Sequence, residues 1–183
     1  MEREQSASGP VAITLRNGVQ VTIRPFARED GPALADFYEA IPPEDRHWYA
    51  PHPLTREKAM ALAAGAGGPG SRLVCVVLET ADKQIAGEAW FRWKKADSAR
   101  STFGICIRPD LQGAGAGRAL MQRLLDIGAE SGPPLMSLTV QKSNPRAVAL
   151  YTKMGFEIVR EQVRSDGEPE YYMERRMRGA GQA

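Results

Sequence analysis

The part of the sequence that is most informative about the fold is residues 102–127, TFGICIRPDLQGAGAGRALMQRLLDI. Its first six residues are mostly apolar and predict a strand over residues 102–107. Glycine and alanine fill positions 113–117, and the apolar residues that follow recur at helical spacing. The segment therefore predicts a strand, a loop of small residues and an amphipathic helix, in that order.

The loop of small residues is predicted to bind a phosphate group. Small side chains let a ligand approach the backbone amides, and these amides lie at the positive end of a helix dipole. A nucleoside triphosphate loop would need Lys and then Ser or Thr after the last glycine, where this chain has Arg118 and Ala119. The dinucleotide loop would need a third glycine at a spacing that is missing here. A nucleotide-binding domain is therefore an alternative that the sequence disfavours.

Strand and helix patterns alternate along the rest of the chain. Strand patterns cover residues 19–24, 73–78, 85–93, 102–107, 135–140, 156–164 and 171–176. Helix patterns begin after Asp30, Thr55, Gly117 and Asn144, and Asp30 and Thr55 are predicted to cap their helices. Asn17-Gly18 indicates a hairpin turn. This order predicts one α/β or α+β domain over residues 13–178, with flexible termini at residues 1–12 and 179–183.

Composition argues against several classes of function. The 183 residues, 43% of them hydrophobic, suit a single compact domain. The formal charge of +2 offers no broad basic field for nucleic acid. The absence of a signal-peptide pattern and of a long apolar stretch predicts no membrane partner and a cytoplasmic location. Cys75 and Cys106 are predicted to be buried reduced thiols, and the region around His47 and His52 has no recognised zinc spacing, so no metal is predicted.

Three parts of the chain together resemble the GNAT acyltransferase superfamily. Gln112, Gly115 and Gly117 meet its acetyl-CoA loop pattern, Gln/Arg-x-x-Gly-x-Gly/Ala. Residues 144–156 resemble its second motif, Asn…Ala…Tyr…Gly-Phe, and residues 15–30 resemble the first strand and helix of many members. The resemblance implies a mixed, mostly antiparallel sheet of about seven strands, splayed between strands 4 and 5 and flanked by about four helices.

The resemblance also implies acetyl-CoA as the cosubstrate and direct transfer of its acetyl group to an amine. Pantetheine would pair with the backbone of Ile105, Cys106 and Ile107. The positions that match the family's phosphate-binding loop are Gln112, Gly113, Ala114, Gly115, Ala116, Gly117 and Arg118. Asn144 matches a position that contacts pantetheine, and Tyr151 matches the position whose hydroxyl protonates the departing thiolate. From the residues alone, a helix cap for Asn144 and a core aromatic for Tyr151 remain alternatives.

The general base is where the chain departs from the family pattern. Many relatives carry a Glu at the start of the fourth strand, where this chain has Thr102. Glu88, in an otherwise apolar strand pattern expected to border the cleft, is the best remaining carboxylate and is predicted to act through water. A solvated or ion-paired strand glutamate is the alternative for this residue. A non-catalytic acetyl-CoA-binding module is the alternative for the whole protein.

The acceptor amine is not fixed by the sequence. Residues 46–53 contain both histidines, Trp48 and Tyr49, in a region that often walls the acceptor site of the family, so an acceptor-binding loop is expected there. A packed surface loop is the alternative. Near-neutral charge favours a small-molecule amine over a lysine or N-terminal amine of a protein. No heptad seam indicates an oligomer, and a homodimer is left open.

Overall fold

A computed structural model describes residues 9–49, 51–67, 71–96 and 98–177. The strands are β1 (Val11–Thr14), β2 (Gln20–Pro25), β3 (Leu73–Thr80), β4 (Ile85–Arg92), β5 (Arg100–Ile107), β6 (Leu135–Gln141), β7 (Glu157–Val163) and β8 (Pro169–Arg176). The α-helices of the described residues are α1 (Gly31–Ala40), α2 (Arg56–Ala64), α3 (Ala116–Ser131) and α4 (Pro145–Lys153). Residues 1–8 and 178–183, in or next to the predicted flexible termini, lie outside the described residues, and β1 begins at Val11 within the predicted N-terminal segment.

The sheet confirms the predicted fold class. Its strand order is β1-β2-β3-β4-β5-β6-β8-β7, and every neighbouring pair is antiparallel except β5 with β6. The sheet has eight strands where about seven were expected. The additional strand is β1, which pairs with β2 through the turn at Asn17-Gly18, where Gly18 has a φ of 83°. The hairpin signal was therefore right, and the short strand before it was not predicted.

Strands β5 and β6, which are the fourth and fifth of the seven predicted strands, separate partway along their length, as the resemblance implied. Among the described residues their pairing joins residues 100–102 to residues 135–137 and stops there. Beyond that point β5 stays paired with β4, whereas β6 follows β8. The backbone of residues 103–107 therefore has a strand neighbour on one side and a gap on the other.

Two hydrophobic cores lie on opposite faces of the sheet. The larger core packs α3 against the central strands and includes Leu120 and Leu124, both fully buried. Burial of each such side chain contributes about 1.5–3 kcal/mol. The second core lies under α1 and α2 and contains Phe37 and Tyr38. Glu88 is also completely buried on this second face, next to Tyr38.

Helix starts were predicted with mixed success. Thr55 caps α2, accepting the Lys58 amide at 3.2 Å, as predicted. Asp30 precedes α1 but does not cap it. Its carboxylate instead accepts the Ala27 amide at 2.7 Å and the guanidinium of Arg24 at 2.7 and 2.8 Å. The charged guanidinium of Arg24 forms stronger hydrogen bonds with this carboxylate than a helix amide would.

Candidate active site

A cleft of about 880 Å³ opens where β5 and β6 separate. Its walls come from the hairpin before β2, the loop into α3, the outer half of β5 and the helix α4. Arg16, Arg118 and Arg146 line the part of the cleft near the glycine-rich loop. Asp45 is the one acidic side chain among the described lining residues, and it lies with Trp48 and Tyr49 in the wall contributed by residues 41–49. The cleft is thus basic where phosphates were predicted to bind.

The loop into α3 presents a row of amide donors. Gly113 and Gly115 have φ values of 77° and 100°, which glycine alone adopts without strain. Arg16 holds the loop in place, because its amide donates to the Ala114 carbonyl at 2.9 Å and its side chain to the Gly113 carbonyl at 2.6 Å. In a trans peptide the N–H points opposite to the C=O, so the amides of Ala114 and Gly115 point away from Arg16. The helix adds the amides of its first turn, which have no intrahelical acceptor.

Gln112 braces the loop against two other elements. Its side-chain nitrogen donates to the Ile107 carbonyl at 3.1 Å, and its side-chain oxygen accepts from Arg146 at 2.6 Å. Its own amide is engaged by the Pro109 carbonyl at 3.1 Å. Gln112 therefore joins the end of β5 to α4, and the amide donors that face no protein acceptor begin after it.

Gly117 allows close packing at the start of α3. A Cβ at this position would lie 3.1 Å from Ile107 Cδ1 and 3.3 Å from Leu150 Cδ2. The absence of a side chain thus lets the helix approach both β5 and α4. Ala116 is fully buried at the same helix start, whereas Arg118 lines the cleft.

The unpaired edge of β5 carries the three residues predicted to hold pantetheine. Ile105, Cys106 and Ile107 all line the cleft, and β4 pairs with them on the other side. Cys75 and Cys106 are free thiols, and each is half-buried rather than fully enclosed. Burial of its sulfur raises the pKa of Cys106, with a further contribution from Glu88, so this thiol stays protonated at neutral pH.

Tyr151 joins the core and the cleft. Its ring packs edge-on against Phe103 at 6.1 Å and tilted against Phe156 at 6.2 Å, and the residue is 9% exposed. It also lines the cleft, where its hydroxyl has no hydrogen bond from any described residue. Burial raises the pKa of Tyr151 above its ordinary value, and the nearby Cys106 thiol adds to this effect. The hydroxyl therefore stays protonated across the physiological range.

Asn144 lies at the start of α4 and borders the same cleft. Its side-chain oxygen accepts the Ala147 amide at 3.1 Å, which confirms the helix-cap interpretation. No described residue accepts a hydrogen bond from the side-chain nitrogen of Asn144.

Glu88 is shielded from solvent and forms no ion pair with any described residue, so the solvated or ion-paired alternative is wrong. It is completely buried on β4, directly opposite Cys106 of β5. Its Oε1 accepts the hydroxyl of Tyr38 at 2.7 Å and that of Tyr49 at 3.1 Å, whereas its Oε2 has no partner among the described residues. Burial raises the pKa of Glu88 to about 7, against the opposing effect of the two hydroxyls. Such a carboxylate exchanges its proton near neutral pH.

Tyr49 connects this buried carboxylate to the cleft, which the sequence did not predict. Tyr49 lines the cleft, whereas Glu88 lies buried behind it, so the expectation that Glu88 borders the cleft was wrong. The Tyr49 hydroxyl accepts the indole N–H of Trp90 at 2.9 Å and lies 3.0 Å from Nε2 of His52. Gly104 makes room for this arrangement, because a Cβ there would lie 2.4 Å from the Trp90 ring. The one sequence signal for this network was a glutamate in an apolar strand near several aromatic residues.

The predicted acceptor loop lies partly in the cleft and partly behind it. Trp48 is 41% exposed and borders the cleft beside Tyr49. The His47 ring contacts the Trp48 ring at a tilt of 43°, with the centroids 4.0 Å apart. The His47 carbonyl accepts from Gln141 at 2.9 Å, which ties this loop to the end of β6. Ala50 lies outside the described residues.

Two further classes of site are not found in the described residues. No group of three or more His, Cys, Asp or Glu side chains in ranges 9–49, 51–67, 71–96 and 98–177 is placed to hold a metal ion. Within the same ranges, no helix has the length and apolar character needed to cross a membrane.

Comparison with known proteins finds a matching family model and several relatives. A sequence model of the acetyltransferase (GNAT) family matches residues 33–156, which is more than half of the chain. A curated relative, the [ribosomal protein bS18]-alanine N-acetyltransferase of Escherichia coli K12, is 43% identical over 54 residues, which cover 30% of this chain and 36% of that protein. The match therefore spans about a third of that relative's length.

Solved structures share the architecture over nearly the whole chain. The GNAT domain of S. lividans PAT superposes with a TM-score of 0.74 at 18% identity, covering 94% of this chain and 98% of that domain. YncA of Salmonella typhimurium, described as a putative acetyltransferase with its cofactor acetyl-CoA, superposes with a TM-score of 0.71 at 20% identity, covering 89% and 97%. At these identities the likeness concerns the fold.

Proposed function

The chain belongs to the acetyltransferase (GNAT) family, and from this premise we propose that it transfers an acetyl group from acetyl-CoA directly to an amine. One observation carries the proposal. Cys106, in the middle of the unpaired edge of β5, has Glu88 opposite it on β4, and Tyr151 lines the same cleft as Cys106. A base and an acid thus flank the strand at which the thioester would bind.

The donor would bind along the cleft from the α3 loop to β5. The backbone amides from Gly113 to Gly117, with Arg118, form a positive site suited to a diphosphate. The edge of β5 that β6 leaves open at residues 105–107 offers strand-like hydrogen bonds to the amides of pantetheine, with the Ile107 carbonyl already engaged by Gln112. Asn144 lines the same cleft and would contact the same arm. The acetyl group then lies near Cys106.

The reaction needs one base, one oxyanion donor and one acid. A primary amine is mostly protonated at neutral pH, since its pKa is about 8–10. Glu88, whose pKa of about 7 is set by burial, takes up that proton through water. Attack on the thioester carbonyl creates an oxyanion, which an N–H of β5 near Cys106 stabilises. Tyr151 then protonates the departing thiolate.

The acceptor is proposed to be a small primary amine. Asp45 and Trp48 line the cleft beside Tyr49, and a carboxylate next to an indole ring attracts an ammonium group. A peptide N-terminus is the second candidate, because the E. coli relative is named for acetylation of a ribosomal-protein alanine. Both candidates use the same base and acid.

The testing experiment is thiol release from acetyl-CoA with a panel of polyamines, amino acids, aminoglycosides, lysine peptides and alanine-initiated peptides. Release with one class of acceptor, strongly reduced in Tyr151→Phe and Glu88→Gln, supports the proposal. A rise in Tm with acetyl-CoA but no release with any acceptor would favour the binding module. A Tm rise with ATP and none with acetyl-CoA would favour a nucleotide-binding domain instead.

A further inference from the structure

Behind the cleft, Glu88, Tyr49 and His52 form a chain of hydrogen-bonding groups. The Tyr49 oxygen lies 3.1 Å from Glu88 Oε1 and 3.0 Å from His52 Nε2. It also accepts the Trp90 N–H at 2.9 Å. A phenol has a single hydrogen to donate, so the Tyr49 hydroxyl donates to Glu88 or to His52 but not to both at once.

The ring of His52 is held so that Nε2 acts as an acceptor. Its Nδ1 lies 3.0 Å from the Pro53 carbonyl oxygen, and since a carbonyl can only accept, Nδ1 carries the hydrogen. Burial lowers the pKa of His52, and Lys58 and Arg92 lower it further against the effect of the Pro53 carbonyl. A neutral ring with hydrogen on Nδ1 leaves a lone pair on Nε2 that faces Tyr49.

We propose that His52 is a positioning residue for the buried carboxylate. By accepting the Tyr49 hydrogen, it lets Tyr49 change from donating to Glu88 to accepting from Glu88 when Glu88 takes up a proton. The inference rests on the proposed function, in which Glu88 is the base. It assigns to His52 a role that acts through Tyr49, with no contact to the acceptor amine.

Two arrangements of hydrogens describe this change at Tyr49, which we call the switch. With Glu88 ionised, Tyr38 and Tyr49 both donate to Oε1. With Glu88 protonated on Oε1, that hydrogen is donated to the Tyr49 oxygen and the Tyr49 hydrogen turns to His52 Nε2. Trp90 donates to Tyr49 in both arrangements. The net change is one proton gained by Glu88 and one lost by the acceptor ammonium, and Tyr49 keeps its own hydrogen.

The other ionisable groups around Glu88 do not titrate in the same pH range. Tyr38 on α1, Cys75 on β3 and Cys106 on β5 face the carboxylate, and burial raises the pKa of each, so all three stay neutral at physiological pH. Burial also raises the pKa of Tyr49 itself. The carboxylate is therefore the group of this cluster whose charge changes near neutral pH, because His52, with its lowered pKa, is already neutral there.

The switch predicts opposite effects for its two members. His52 stabilises the arrangement in which Glu88 is protonated, so His52→Phe lowers the pKa of Glu88 by about 0.5–1 unit. Tyr49→Phe removes a donor to the charged carboxylate and shifts the pKa upward, since hydrogen bonds to charged groups are the stronger ones. In the double variant, the change at position 52 has no further effect, because His52 acts through the Tyr49 hydroxyl.

The experiment titrates the Glu88 carboxyl carbon by 13C NMR in the full chain without substrate, with Glu88→Gln assigning the signal. His47→Phe, a change of the other histidine in the same loop, is the matched control and leaves the titration unchanged. A downward shift with His52→Phe that vanishes in the Tyr49→Phe background supports the proposal. No shift, an upward shift, or an equal shift in both backgrounds overturns it.

The same variants separate this inference from the proposed function. If the carboxyl titration shifts as expected while the pH dependence of acetyl transfer does not follow it, the switch stands and Glu88 is not the base. If His52→Phe fails to fold by near-UV circular dichroism, His52→Leu also lacks the acceptor and gives the same reading.

Discussion

At the residue scale, Glu88 links the chemistry of the site to the stability of the fold. Its pKa of about 7, raised mainly by burial, lies above the 4.5 of a free glutamate. Folding therefore favours the protonated form. The stability contributed by this group is fully present below pH of about 4.5 and is lost as pH rises through about 7.

Glu88→Gln is accordingly expected to change two pH profiles. The variant should lose the part of the stability decrease between about pH 4.5 and 7 that this group causes, on the order of 3 kcal/mol at most. It should also lose the acidic limb of the rate of acetyl transfer near pH 7. Urea unfolding across this pH range measures the first effect, and Glu157→Gln, on the exposed strand β7, is the control. A wild-type stability that stays flat over this range would contradict the assignment.

Tyr151→Phe tests the acid with little change in packing. The ring keeps its contacts with Phe103 and Phe156, so Tm should change little. The turnover number should fall by about 10²-fold, because the thiolate must leave without a positioned proton donor. KM for acetyl-CoA should be nearly unchanged. Tyr172→Phe, whose hydroxyl bonds Glu174 on β8, is the matched control, and an equal loss of turnover in both variants would contradict the role of Tyr151.

At the element scale, the loop into α3 depends on backbone conformations that only glycine adopts easily. Gly115 precedes the helix with a φ of 100°, and no bulky group occupies the space of its missing side chain. Gly115→Ala is expected to cost about 1–3 kcal/mol of backbone strain. The strain is relieved by moving the amide donors, so Kd for CoA should rise by about tenfold.

Gly167→Ala is the matched control for this change. Gly167 has a φ of 87° in the turn between β7 and β8, and a Cβ there would meet no atom within 4 Å. It should lower Tm by a similar amount while leaving Kd for CoA unchanged in calorimetric titration. Equal Kd values for wild type and Gly115→Ala would show that the loop does not bind the phosphates.

Elements set by local patterns were predictable from sequence, and contacts between distant residues were not. Seven of the strands, the α-helices and the Thr55 cap follow from periodicity and neighbouring turn residues. Strand β1 is short and half-buried, so its pattern is weak. Asp30 was wrongly predicted to cap a helix, because its attraction to Arg24 depends on tertiary structure. For the same reason, Arg16 bracing the α3 loop and Tyr49 bonding Glu88 were not predicted.

At the scale of the whole molecule, the separation of β5 from β6 divides the sheet into two parts. Strands β1 to β5 form one part and β6 to β8 the other, and three residue pairs join them in the described structure. The cleft lies between these parts and takes lining residues from both β5 and α4. A ligand in the cleft therefore contacts both parts and adds links that the sheet itself lacks.

Acetyl-CoA is consequently expected to stabilise the molecule as a whole. At a concentration of about 100 times Kd, binding adds about 2.7 kcal/mol, which corresponds to a Tm rise of roughly 5–10 °C for a domain of this size. Hydrogen exchange at the amides of residues 105–107 should slow more than exchange in β2, because the ligand covers the open edge of β5. ATP at the same concentration is the control and should give a smaller shift, since it lacks the pantetheine arm. Slowing confined to the α3 loop would mean that the phosphates bind without the arm entering the gap between the two parts of the sheet.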